Sequence, residues 1–379
     1  MQPVPKSEWD RAPHNRWSFQ HVADILPTVA ISRGTGPLRE LPRNERDLDD
    51  LQVTGLGAET VPLASFLDQT FTDGFLILKD GAVVFERYLQ GMSETTLHLS
   101  QSVAKSFTGM LTGILARRRI IDVNAPVISV LPELSATAYN GATVRHLLDM
   151  TSGVAFSEDY TDPFSDMGRA DVASGWKPMP DGASGWPANM FDLILTLHSA
   201  EREHGEKFSY RSIETDVLAF VLERASGKRL PQLLSEELWQ KLGMEQDGSM
   251  TVDSTGFALA DGGLNACLRD YGRFGQMILN DGARIVPANW IEATRTGQHD
   301  IFGEPYTAVL PRGAYRNQFW IEDGKSRNLM ARGVFGQLIY IDFARKMVVV
   351  KLSSWPDFVN PAWTVATLEA VRTVGRALS

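Results

Sequence analysis

Apolar and polar positions alternate with two distinct periods along this chain. Gly74 to Lys79 and Ala82 to Leu89 are apolar, β-prone runs separated by Asp80-Gly81. A two-residue break of that composition predicts a tight antiparallel hairpin. From Ser102 to Arg117 the apolar positions Val103, Phe107, Met110, Leu111, Ile114 and Leu115 cover most of a helical circumference. Such a helix is buried nearly all round. Helical periods follow at Val144 to Met150, Met190 to His198, Glu214 to Ala225 and Leu230 to Leu242, the last closing before Gly243, a suitable C-cap. Strand-like runs return at Tyr315 to Glu322, Phe335 to Phe343 and Lys346 to Ser353, and a helix from about Ala362 to Leu378 finishes the chain. A short amphipathic helix is expected near His21 to Leu26, in an otherwise irregular lead-in.

Strands drawn from both ends of the chain with helices between them imply an antiparallel α/β sheet domain plus an all-α domain. The expected division is a lead-in over 1–60 packed on the sheet domain, a sheet domain from 61–119 and 251–379, and a helical domain over 120–250. Within the helical block, 161–189 carries Gly168, Gly175, Gly182 and Gly185 and is too long for a simple connection. Its aromatic residues Phe164, Trp176 and Trp186 favour a lid over a disordered link.

Composition narrows the function without naming it. With 379 residues, 43% hydrophobic and 22% charged, the chain is an ordinary globular protein, and its net charge of −9 argues against a nucleic-acid surface. The basic cluster Arg117-Arg118-Arg119 closes an apolar helix, where cations complement the helix dipole. The single cysteine, Cys267, excludes an internal disulfide. Met1 to Trp17 is polar, no apolar run reaches membrane-spanning length, and a cytoplasmic protein is expected. His198 and His204 flank Ala200-Glu201-Arg202-Glu203 without the His-Glu-x-x-His order, and no phosphate-binding loop occurs. Neither metal nor cofactor is expected. His146, in an apolar helical segment, reads as structural, and no Gly-x-Ser-x-Gly elbow is present.

The chemistry candidates begin at Ser102-Val103-Ala104-Lys105. Ser102 falls in the first turn of the buried helix, where free N–H groups favour negative charge. Lys105, three residues on, shares its face. Desolvation between Ala104 and Phe107 would press Lys105 toward its neutral form and make it a proton acceptor. A capping serine followed by a solvated lysine fits the local sequence equally well. Tyr210, in Phe208-Ser209-Tyr210-Arg211-Ser212 ahead of the next helix, is placed to point a hydroxyl into a cleft. It tips the balance toward a nucleophile with basic partners.

Ser102-Val103-Ala104-Lys105 with Tyr210-Arg211-Ser212 resembles the Ser-x-x-Lys and Tyr-x-(Asn/Ser) pair of the serine β-lactamase and penicillin-binding superfamily. Arg145 to Gly153 and Gly262 to Asp270, continued by Arg273-Phe274-Gly275, are similar to two further segments of that family. Its Lys-Thr-Gly motif is replaced here by Val334-Phe335-Gly336-Gln337. Ala12 to Trp17, Glu158 to Pro163 and Val350 to Asp357 resemble the 6-aminohexanoate-dimer (nylon-oligomer) hydrolase group within the superfamily.

The resemblance implies a β-lactamase-like fold and an acyl-enzyme on Ser102, with Tyr210 exchanging the proton with Lys105 and the leaving amine. It implies an oxyanion site between the N–H groups of Ser102 and Val334. By the same carry-over Tyr160 meets the leaving nitrogen, Trp176 and Trp320 line or close the cleft, and Ser212 and Phe335 border it. Glu158, Asp171 and Asp261 would form an acidic pocket for an ammonium-bearing substrate. A small-molecule amide is the implied substrate. No nucleic-acid or membrane partner is expected from the composition, and the sequence leaves the oligomeric state open, a homodimer included. A carboxylesterase is the second reading. A β-lactamase or DD-peptidase ranks lower, since Val334-Phe335-Gly336 brings no cationic or hydroxyl side chain. A catalytically dead binding domain ranks last, because Ser102, Lys105 and Tyr210 are all retained.

Overall fold

The structure, a computed structural model, describes residues 4–379. The strands used below are β1 Thr28–Ile31, β2 Thr72–Lys79, β3 Ala82–Tyr88, β4 His98–Leu99, β5 Gly248–Thr251, β6 Leu264–Ala266, β7 Ala314–Arg316, β8 Phe319–Ile321, β9 Leu329–Gly333, β10 Gln337–Asp342 and β11 Met347–Ser353. The helices are α1 Val103–Arg117, α2 Val144–Asp149, α3 Asp166–Ala173, α4 Ile213–Ser226, α5 Leu268–Leu279 and α6 Pro361–Ala377. The main sheet has seven antiparallel strands in the order β3-β2-β11-β10-β9-β8-β7. Its central strands are apolar on both faces because both are covered. Leu76, Leu78, Val348 and Val350 join one core with α1 and α5, while Phe75, Ile77, Val349 and Tyr340 join another with Leu368, Val371 and Val374 of α6. Glycines let α5 lie close: a Cβ on Gly275 would stand 2.5 Å from a Val348 methyl. No helix is long and apolar enough to cross a membrane among the described residues.

The predicted hairpin, the buried helix, the two closing strands and the last helix all form, within a few residues of their expected ends. Val103 to Leu115 are buried without a break. Three expectations differ. Tyr315 to Glu322 is not one strand but the β7–β8 hairpin, turning through Asn317 (φ 49°) and Gln318 (φ 66°). Two successive left-handed residues make a type I′ turn, and without a glycine the sequence does not advertise it. Tertiary bonds hold it instead: Gln318 Nε2 donates to Leu147 O at 2.8 Å, and Asn317 Nδ2 donates to Thr294 Oγ1 at 2.9 Å. The Leu230 to Leu242 helix is broken by a π turn over Ser235–Trp239. Near His21 there is only a 3₁₀ turn, Val22–Asp24.

A four-stranded sheet, β1-β5-β6-β4, was not expected. Its strands are two to four residues long, too short to display a period-2 pattern. It nonetheless brings the lead-in, the end of the helical block and the residues before Ser102 together.

Candidate active site

Pairing of β4 with β6 and the bond from Ser100 N to Leu264 O (2.8 Å) fix the chain just ahead of Ser102. Gln101 then takes a left-handed conformation (φ 49°), a strained turn for a residue other than glycine. That turn opens α1 with Ser102 at its N-cap, yet the Ser102 side chain caps nothing. Its Oγ instead accepts from Lys105 Nζ at 2.9 Å. Lys105 is 1% exposed. The alternative of a capping serine and a solvated lysine is thereby excluded.

The other two N–H bonds of Lys105 go to Ser212 Oγ (3.1 Å) and to the backbone carbonyl of Asp261 (2.5 Å). An ammonium has three donors, and all three are used. Beyond Ser212, the Glu158 carboxylate accepts from Ser212 N (2.9 Å), Ser212 Oγ (2.5 Å) and Tyr160 Oη (2.6 Å). A continuous polar chain therefore runs Tyr160–Glu158–Ser212–Lys105–Ser102. The Tyr210 ring lies 5.3 Å from Lys105 Nζ and stacks on Trp320, and its hydroxyl faces Ser102 and Lys105.

Proton affinities here follow neighbours as much as burial. Burial does press Lys105 down, but Tyr210, Asp261, Glu158 and Asp216 around it more than offset that, and its pKa ends above the ordinary lysine value. The depressed Lys105 expected from local sequence is thus corrected. Its neighbours are distant in sequence, so no window around Ser102 contains them. Burial also raises Glu158 and Tyr210, with the Lys105 charge opposing the rise in both.

The second backbone donor comes from the end of β9. A Cβ on Gly333 would lie 2.7 Å from Ser100 O and 3.0 Å from Ser102 N, so only glycine permits this approach. Among the described residues, neither the Ser102 nor the Val334 N–H has a protein acceptor. Phe335 (φ 60°) turns its ring between Phe19 and Phe358, at 5.1 and 4.6 Å, and its N–H donates to Phe358 O at 2.9 Å. It anchors Val334 rather than bordering the cleft.

The cleft beside Ser102 has a volume of about 390 Å³, and Glu158, Tyr160, Tyr210, Trp320 and Val334 line it. Several predicted binding residues stand outside that lining. Asp171 is paired with Lys177 at 2.8 Å, which also holds Asp10 at 2.9 Å. Burial raises Asp171 to about 6. Trp176 is buried and donates from Nε1 to Thr251 Oγ1 at 3.0 Å, and its carbonyl accepts from Trp9. No residue of 161–189 lines the cleft. The predicted lid holds α3 and is docked through Trp176, whose ring meets Trp9 of the lead-in edge-on at 5.2 Å, while Phe164 and Trp186 pair with each other. Ser212 is buried behind Lys105, and Asp261 reaches the site through its carbonyl. Of the three acidic residues predicted to hold an ammonium, only Glu158 lines the cleft, and its carboxylate already accepts from three donors. Arg332, which lines the cleft, was missed. Its position two residues before Val334 was the available signal. No cluster of metal-ligating side chains occurs among the described residues.

Comparison with known proteins agrees with this geometry. The beta-lactamase family model matches residues 66–371. The chain is 35% identical over 376 residues to 6-aminohexanoate-dimer hydrolase of Paenarthrobacter ureafaciens, covering 98% of this chain and 93% of that relative. It is 26% identical over 239 residues to esterase EstB of Burkholderia gladioli, covering 55% of this chain and 57% of the esterase. A structure from Bacillus anthracis, assigned as a 6-aminohexanoate-dimer hydrolase, superposes with a TM-score of 0.89 at 30% identity, covering 99% of this chain and 97% of that one. With a free nucleophile, its buried lysine and two unclaimed backbone donors in one cleft, the chain belongs to the beta-lactamase family and is a serine hydrolase.

Proposed function

We propose that this enzyme hydrolyses linear amides of the 6-aminohexanoate-dimer type through an acyl-enzyme on Ser102. The observation that carries the reading is the unbroken chain from Tyr160 through Glu158, Ser212 and Lys105 to Ser102. Once the Tyr210–Lys105 pair has given up one proton to solvent, Ser102 Oγ attacks the amide carbonyl and its proton passes to that pair. The developing oxyanion accepts from Ser102 and Val334 N–H. As the C–N bond breaks, Tyr210 returns the proton to the leaving nitrogen. Water then repeats the cycle on the acyl-enzyme and releases the acid.

Amides differ from esters in needing somewhere to direct an N–H during attack. Tyr160 donates its own proton to Glu158, which leaves the lone pairs of Oη free to accept from that N–H. Tyr160→Phe is therefore expected to lower amide turnover at least tenfold more than ester turnover. Release of 6-aminohexanoate from the linear dimer, compared with hydrolysis of p-nitrophenyl butyrate, measures this. Equal losses on both would remove Tyr160 from the role. A fluorophosphonate that fails to label Ser102 would remove the hydrolase mechanism itself. The esterase relative supports short acyl esters as a second substrate class; ester turnover without cleavage of the dimer would make that reading the better one.

A further inference from the structure

Buried or half-buried arginines in this protein are generally tied to carboxylates: Arg269 to Glu86, Arg273 to Asp270, Arg211 to Glu214 and Arg145 to Asp149. Arg332 is different. Its side chain makes no ion pair and no hydrogen bond among the described residues, and its guanidinium rests over the Trp320 ring, 5.0 Å from the centroid. Burial pushes it down to about 10, and the only charge-bearing neighbour pulling the other way is Tyr210. An unpaired, partly desolvated guanidinium is costly unless a ligand completes it.

Its place is specific. Arg332 pairs across the ladder with Leu338, so both project on the α6 face of the sheet, and both line the cleft that contains Ser102. Gly333, the next residue, touches Ser102, and Val334 follows. Much of the remaining lining is apolar, including Val309, Phe358 and Leu368. Two further donors on the same lining, Trp355 Nε1 and Thr367 Oγ1, are buried without a partner. The cleft beside Ser102 thus holds one unpaired cation in a largely apolar lining.

We infer that Arg332 is a specificity-determining residue that holds a terminal carboxylate of the substrate, joined to the scissile amide nitrogen by a flexible aliphatic chain. The planar fork suits a carboxylate, which accepts two parallel N–H bonds, and Trp320 holds the plane in position. The inference rests on the cleft being the substrate site of the Ser102 hydrolase. It adds that substrates carry an anion at one end, bound by a cation outside the Val334-Phe335-Gly336 segment.

The test uses Ser102→Ala protein and calorimetric binding of two ligands, 6-acetamidohexanoate and its neutral counterpart 6-acetamidohexanamide. The carboxylate is expected to bind at least tenfold more tightly. Arg332→Gln in the same background should erase that ratio, and Arg332→Lys should keep part of it. Raising the salt from 0.05 to about 0.5 M should narrow the ratio, as for any charge pair open to solvent. Equal affinities before any Arg332 change, or no binding of either ligand, overturn the inference. So does a ratio that survives Arg332→Gln, or, if that variant does not fold, one that Arg332→Lys leaves untouched. Failure of the hydrolase reading is seen separately, as absence of fluorophosphonate labelling in the parent enzyme.

Discussion

Two lysines in this molecule are almost wholly removed from water, Lys105 at 1% and Lys351 at 0% exposure, and they hold their protons very differently. Lys105 has Tyr210, Asp261, Glu158 and Asp216 around it and is shifted up. Lys351, on β11, donates to Thr70 O (3.1 Å) and to Ser353 Oγ. Burial takes it down to about 7, with Asp73 opposing that fall and Arg16 adding to it. Burial is therefore common to both, and the anions beside each decide the outcome. The lysine with the properties expected of a neutral base is the one that does not touch Ser102. At Lys105 the surrounding acceptors favour the ammonium.

The sharpest way to break this contrast is to remove each lysine in turn. Lys105→Ala is expected to lower kcat/KM by a thousandfold or more, from the usual range for a proton-transfer partner, measured on p-nitrophenyl butyrate. Lys351→Met should change the same constant by less than about threefold. Similar losses from both would mean that burial, not the neighbourhood of Ser102, sets their importance.

A smaller effect comes from changing one neighbour. Glu158 raises both Lys105 and Tyr210. Because both start above their ordinary values, the pair gives up a proton only in alkaline solution, and activity should climb through that range. Glu158→Gln is expected to shift this rise toward lower pH while lowering the maximum about tenfold, since Ser212 and Tyr160 lose a charged acceptor. A pH profile that keeps its position would show that Glu158 does not tune the pair.

The smallest effect is on stability. Lys351 falls from 10.5 unfolded to about 7 folded. Between those values the unfolded chain binds more protons, so stability rises with pH across the window. The penalty is fully present below about pH 7 and gone above pH 10.5, a difference on the order of 5 kcal/mol at most. Urea unfolding of Lys351→Met and the parent at pH 7, 8 and 9 should show the stability gap closing as pH rises. A gap independent of pH would place the Lys351 proton elsewhere.

How much of this was legible follows from distance along the chain. The hairpin at Asp80-Gly81, the buried helix and the Ser102–Lys105 spacing depend on residues a few positions apart, and their patterns survive in one dimension. The β7–β8 turn did not, since Asn317 and Gln318 take left-handed conformations only because α2 and Thr294 offer them partners. Asp171 and Trp176 misled for the same reason: their partners, Lys177 with Asp10 and Trp9 with Thr251, convert apparent ligand-binding groups into structural ones.

By itself the sequence determined which helix carries the nucleophile, that Lys105 shares its face, and the family to which the set belongs. Only the tertiary structure decided the direction in which that lysine's proton affinity shifts, the burial of Asp171 and Trp176 against their own partners, and the lone cation at Arg332. Proton affinity and pairing are set by every group within a few ångströms, and here those groups come from residues 158, 210, 216, 261 and 332–334, brought together by two sheets and not by adjacency.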